Sequence, residues 1–126
     1  METRSKTYAE TAYGLVANMQ ADKKLEQIEP EKFKEQRKLE KDYRTIALNF
    51  PTMIMKSGFL QAVGFFMAKD KEHHKKFLEH LKKLLKDDNL HDTLFKSKVN
   101  EYQLLTRNGI EASSWLKRYT QALLEG

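Results

Sequence analysis

The chain has 126 residues, of which 33% are charged, with a formal net charge of +5 and no cysteine. A chain of this length forms one domain and buries roughly two-thirds of its unfolded surface without a disulfide or metal. The missing thiols exclude disulfide scaffolds, thiolate zinc sites and cysteine nucleophiles, and they suit a reducing cytoplasm. Few Gly, Pro and β-branched residues favour helix, because straight-chain residues lose little rotamer freedom there. A basic balance attracts polyanions, nucleic acid being the commonest, although mixed surface charge also serves solubility.

The charged start, Met1 to Lys6, is followed by residues too polar for an apolar leader core, so no signal peptide is expected. Thr3 is placed to cap a first helix whose apolar face is Tyr8, Ala12, Leu15, Val16 and Met19. A polar break, Asp22 to Glu29, follows. Pro30 suits a first helical position. The stripe of the second helix is Phe33, Leu39, Tyr43, Ile46, Ala47 and Phe50, with Glu40 and Arg44 at ion-pair spacing. Thr45 to Ala68 carries one charge, Lys56, and reads as the spine of the core. Lys56 either snorkels to the surface or faces an anion. Pro51, Asn49, Ser57 and Gln61 interrupt the segment, so it is read as buried helix and not as a membrane span.

Pro51 is expected to end the second helix and start a third, with Met53, Ile54, Leu60, Val63 and Met67 facing inward. Gly58 and Gly64 cost about 1 kcal/mol each inside a helix relative to Ala, which suggests close approach of another backbone. Asp70 is expected to cap a fourth helix, with Phe77, Leu81, Leu84 and Leu85 inside and a lysine-rich outer face. Asp87, Asp88 and Asn89 break it. A fifth helix carries Leu94, Phe95, Val99, Tyr102 and Leu105, and Gly109 reads as its C-cap. Ile110, Ala112, Trp115, Leu116, Tyr119, Ala122 and Leu123 belong to the last helix. No stretch alternates like a strand. The expectation is all-α: one compact domain over residues 1–126, a bundle of about six helices.

His73, His74 and His80 are the best candidates for metal or acid–base chemistry. His73 and His80 lie two turns apart, too far for one metal, and no His-Glu-x-x-His pattern is present, so solvated histidines are expected. Ser113 and Ser114 lack a glycine-flanked elbow. Carboxylates alternate with lysines, and no glycine loop cradles a phosphate. No enzyme, metal or cofactor is expected. Among the cations, Lys56, Arg107, Lys117 and Arg118 stand out because they sit among Met55, Tyr102, Trp115 and Tyr119. Charge beside a rigid core fixes a nucleic-acid backbone better than charge on a free tail, and Arg pairs bidentately with phosphate. The alternative is stem packing with no partner. Trp115 reads as a core anchor before it reads as a base-stacking residue.

Three segments together resemble the small subunit of the type III-B CRISPR–Cas effector, the Cmr RNA-silencing complex. They are Arg4…Tyr8-Ala9…Ala12-Tyr13…Val16, then Tyr43…Pro51…Ile54…Gly58-Phe59…Ala62…Phe65, then Tyr102…Thr106-Arg107…Glu111-Ala112…Trp115-Leu116-Lys117-Arg118…Ala122. Their order, spacing and total length match over nearly the whole chain. The third is the most specific, and Phe59 departs from the family, which usually has Leu after the central glycine.

The resemblance implies an all-α, non-catalytic cytoplasmic subunit whose copies stack inside the complex beside other subunits. It implies a grip on guide and target RNA with little sequence preference; with its partners missing, the isolated chain is expected to be a monomer, and no membrane partner is expected. Lys56, Arg107, Lys117 and Arg118 are the first RNA-facing candidates, with Arg44 and Arg4 behind them. Three other readings stay open: the small subunit of the type III-A effector, a helix-turn-helix DNA regulator built on the Arg107-Asn108-Gly109 turn, and a protein adaptor.

Overall fold

A computed structural model describes residues 3–125; Met1 and Glu2 of the charged start, and Gly126, lie outside them. Seven helices follow in order: α1 Arg4–Ala17, α2 Leu25–Ile28, α3 Pro30–Ser57, α4 Phe59–Lys69, α5 Glu72–Leu85, α6 Leu90–Lys96 and α7 Val99–Leu123. No strand occurs among the described residues. The all-α expectation holds, and α1 begins as read: Thr3 Oγ1 accepts a hydrogen bond from the Lys6 amide at 3.1 Å. α2 is one turn inside the stretch expected to be a polar break.

The long helices α3 and α7 form the frame and run antiparallel. Tyr102, in the first turn of α7, lies against the Gly58 end of α3, and Leu123 shares a cleft with Arg37 and Glu40 at the other end. α1 packs against α7 and α5, while α4 fills the space between α3, α5 and α6. The centre is aromatic. Phe50 meets Phe66 at 4.8 Å and Phe77 at 4.9 Å between ring centroids, with Phe59 and Tyr43 around them.

Two expected helix ends are helix interiors. Pro51 lies inside α3, and the stripe Tyr43, Ala47, Phe50 and Ile54 is buried on both sides of it. A proline inside a helix costs roughly 3 kcal/mol. Burying each large apolar side chain gains about 1.5–3 kcal/mol, so the continuous stripe outweighs the lost hydrogen bond. Gly109 likewise sits inside α7 with buried Ala112 and Leu116 beyond it, and is no C-cap.

The break falls at Gly58 instead. Its φ of 89° lies where side chains are strained, and its amide closes α3 on the Ile54 carbonyl at 2.8 Å. The tightest approach is not at the two glycines expected to show it. A Cβ on Gly64 would meet nothing within 4 Å, whereas one on Gly109 would press into the buried Phe59 ring, 2.6 Å from Cζ and 2.9 Å from Cδ2. Phe59, at the start of α4, therefore lays its ring against α7 at Gly109.

Other expectations change with the packing. Asp70 closes α4 in the left-handed conformation and pairs with Lys75; it does not cap α5. Met55, Phe65 and Met67 are exposed, so Thr45 to Ala68 is a core spine on one face only. Phe95 and Val99 are also exposed, because the chain turns between α6 and α7 at that point. Glu40 is buried and pairs with Arg37 rather than Arg44, one turn away on the other side.

A candidate nucleic-acid interface on α7

α7 is amphipathic in an unusual way, with small residues inward and cations outward. Gly109, Ala112, Ser113, Leu116 and Thr120 are buried. Arg107 and Arg118 are exposed. Eleven residues are just over three whole turns, so these two arginines share one line down the helix, about 16 Å apart. Glu111 lies beside that line, and Glu125 follows just past the end of the helix.

Both of those carboxylates are already engaged. Glu111 Oε1 accepts a hydrogen bond from Arg4 Nε at 2.8 Å, and Glu125 lies 4.0 Å from Lys23 Nζ. The bond to Glu111, and after it the carboxylate charge, raise the pKa of Arg4 above its ordinary value. Among the described residues Arg107 and Arg118 have no acidic partner. The face thus presents two uncompensated guanidinium groups with the neutralised Arg4–Glu111 pair between them.

The other candidates lie elsewhere. Lys117 is half-buried and stands about 100° round the helix from Arg118. Arg44 is half-buried on α3, and its Nε is enclosed without a hydrogen-bond partner. Lys56 is exposed in the last turn of α3, where a cation complements the helix dipole. It sits near the Tyr102 level of α7, so about 20 Å of helix rise separates it from Lys117. The six candidates are spread over α1, α3 and α7, and only Arg107 and Arg118 share a line.

Trp115 is partly buried against the core, as its spacing suggested, and its indole Nε1 donates to Ser5 Oγ at 3.0 Å. Its ring stacks with Tyr119 at 5.7 Å, and Tyr119 meets Tyr13 edge-on at 5.3 Å. The Arg118 guanidinium lies over the Trp115 ring, 4.7 Å from its centroid.

Two of the three histidines singled out in the sequence are not solvated, contrary to expectation. His74 and His80 are buried, and His80 Nδ1 shares a 2.7 Å hydrogen bond with Tyr43 Oη. Burial lowers the His80 pKa to about 4, and burial with the neighbouring His73 charge lowers that of His74. The signal is present in the sequence: His80 lies three residues after Phe77 and four before Leu84, on the apolar stripe. Among the described residues no group of three His, Asp or Glu could hold a metal ion, and no helix is long and apolar enough to cross a membrane. The turn that a helix-turn-helix regulator needs at Arg107-Asn108-Gly109 is continuous helix.

The model of a family described as CRISPR-associated protein (Cas_Cmr5) matches residues 4–123. The chain belongs to the Cas_Cmr5 family. It is 31% identical, over an alignment of 130 residues covering 99% of both chains, to the CRISPR system Cmr subunit Cmr5 of Thermus thermophilus. The crystal structure of a CRISPR-associated Cmr5 family protein from Thermus thermophilus superposes with a TM-score of 0.81. It is 29% identical, over 99% of this chain and 100% of that one. The type III-B small-subunit resemblance carried by the three sequence segments is thereby shown. The Cas_Cmr5 fold places the third and most specific segment, Tyr102 to Ala122, along the single helix that bears the arginine line.

Proposed function

We propose that this Cas_Cmr5 chain is a non-catalytic structural subunit of a cytoplasmic type III-B Cmr complex. In that role it stacks with copies of itself and with other subunits, and it holds guide or target RNA by the backbone without reading sequence. The outward face of α7 carries the reading: Arg107 and Arg118 are aligned and unpaired, while the acids beside them are neutralised by Arg4 and Lys23. Phosphate contacts give affinity without sequence information, and an exposed line of cations suits that task better than a pocket would.

Arg107 and Arg118 are assigned most directly to RNA, with Lys117, Lys56 and Arg44 as further contacts. Arg4 acts through the pair it makes with Glu111. A non-catalytic role is supported by how the polar groups are spent. Buried His80 bonds to a tyrosine inside the core, and the Glu111 carboxylate is tied in an ion pair.

The deciding experiment is purification of the tagged chain from its native cells at moderate salt, with identification of co-purifying proteins and RNA. Recovery of a multi-subunit effector with guide RNA is expected. Recovery of the chain alone, or with genomic DNA, would overturn the reading. In the assembled complex, K117A/R118A is expected to weaken RNA retention at unchanged helical content.

A further inference from the structure

We infer that Trp115 is a positioning residue, which holds the Arg118 guanidinium over its indole so that the free N–H edge meets a phosphodiester oxygen pair. This rests on the RNA-backbone reading above and deepens it.

The indole is fixed from several sides. Its Nε1 donates to Ser5 Oγ in the first turn of α1, and its ring stacks on Tyr119, which Tyr13 holds edge-on. Such a ring cannot swing away when its neighbour moves. Arg118 stands one turn further along α7, three residues on, where side chains of a helix meet, and its guanidinium lies over that fixed ring. A cation over an aromatic face is held by the ring quadrupole. Among the described residues no hydrogen bond engages the five N–H donors of Arg118, and such a planar fork fits a phosphate bidentately. Glu111, the carboxylate on the same face one turn before Trp115, is taken by Arg4, so it does not draw Arg118 down. The result is a cation whose orientation is set before the ligand arrives.

Orientation separates this from simple charge. Lysine keeps the charge but is a point donor on a flexible stem, without the planar fork. If surface potential alone held the RNA, R118K would bind like the wild type. If the stacked fork does the work, R118K behaves almost like R118A. Phe at position 115 keeps a weaker aromatic face and loses the Ser5 bond, so W115F falls between the wild type and W115L.

The test measures binding of a fluorescein-labelled oligouridylate to the full-length chain at low salt by anisotropy, with circular dichroism as a check on folding. Because the chain has a single tryptophan, its emission reports the Arg118 contact directly. R118K and W115L are expected to bind about 2- to 5-fold more weakly, the ratio corresponding to an exposed cation–π contact. The RNA-induced change in tryptophan emission is expected to shrink in R118K at unchanged helicity. Wild-type affinity in R118K would overturn the inference and leave the RNA reading standing. Absence of any binding by the wild type would overturn the RNA reading, and the inference with it. Should W115L fail to fold, R118K and W115F carry the same decision.

Discussion

The two sides of α7 are built by opposite rules. Inward, there is no slack: Gly109 is buried under Phe59, and Ala112, Ser113, Leu116 and Thr120 complete a face on which other helices lie. Outward, Arg107, Arg118 and Gln121 project toward solvent and make few obligatory contacts. One helix therefore combines a surface that tolerates no added atom with one that can be rewritten without touching the fold. Its inward face decides whether the chain folds, and its outward face is free of that duty.

The hardest way to break this division is Gly109→Leu. The Phe59 ring is fully buried and cannot move aside, so the variant is expected to lose about 3 kcal/mol or more, read by urea denaturation, with Gly109→Ala losing about 1–3 kcal/mol. Loss of RNA retention would then follow only from unfolding.

A second test uses pH. His80 titrates at about 4 in the folded chain, against about 6.5 when unfolded. Its folded pKa is depressed, so the unfolded chain binds more protons between those values. The stabilisation is complete above about pH 6.5 and is lost as pH falls toward 4, by roughly 3 kcal/mol at most. His74, shifted in the same direction, adds to the effect. Thermal melts between pH 4 and 7 should show the slope, and His80→Gln should flatten it.

Gly58 and Gly64 sharpen the comparison at smaller scale. Gly58→Ala places a side chain at a φ of 89° and is expected to lose about 1–3 kcal/mol. Gly64→Ala meets open space inside α4 and should gain roughly 0.5–1 kcal/mol. Equal effects at the two sites would remove the distinction between them.

The smallest effect on stability belongs to the outward face. Arg107→Ala should change the unfolding free energy by no more than about 0.5 kcal/mol. If its phosphate contact is real, it should flatten the salt dependence of RNA binding by roughly 0.7 log–log units.

Helical periodicity makes most of this architecture readable. The stripes of α1, α3 and α5 sit on the core almost residue for residue, and Thr3 caps where its side chain allows. The failures share a cause. Pro51 and Gly109 carry local preferences that end helices, and those preferences are overridden by packing that only the folded chain supplies. His80 is misread through its residue type although its position puts it on the stripe, because the Tyr43 hydroxyl that satisfies it lies 37 residues away. The arginine line is half legible. Arg107 and Arg118 are visible as candidates, and their spacing puts them in register. The neutralisation of Glu111 by Arg4, across 107 residues of chain, is not.

One polar contact at the α3–α4 joint reaches into how the chain is made. The Leu60 amide, in the first turn of α4, donates to the Tyr102 hydroxyl at 3.0 Å, and Gly58 itself offers no side chain for the purpose. The start of α4 is therefore capped by a residue from the last helix. During synthesis, α3 and α4 leave the ribosome before that hydroxyl exists, so their Phe50–Phe66 packing must set the angle between them without it. The two helices can pack early, but the Leu60 amide gains its partner only when α7 closes over the elbow, so Tyr102→Phe should speed unfolding far more than it slows folding.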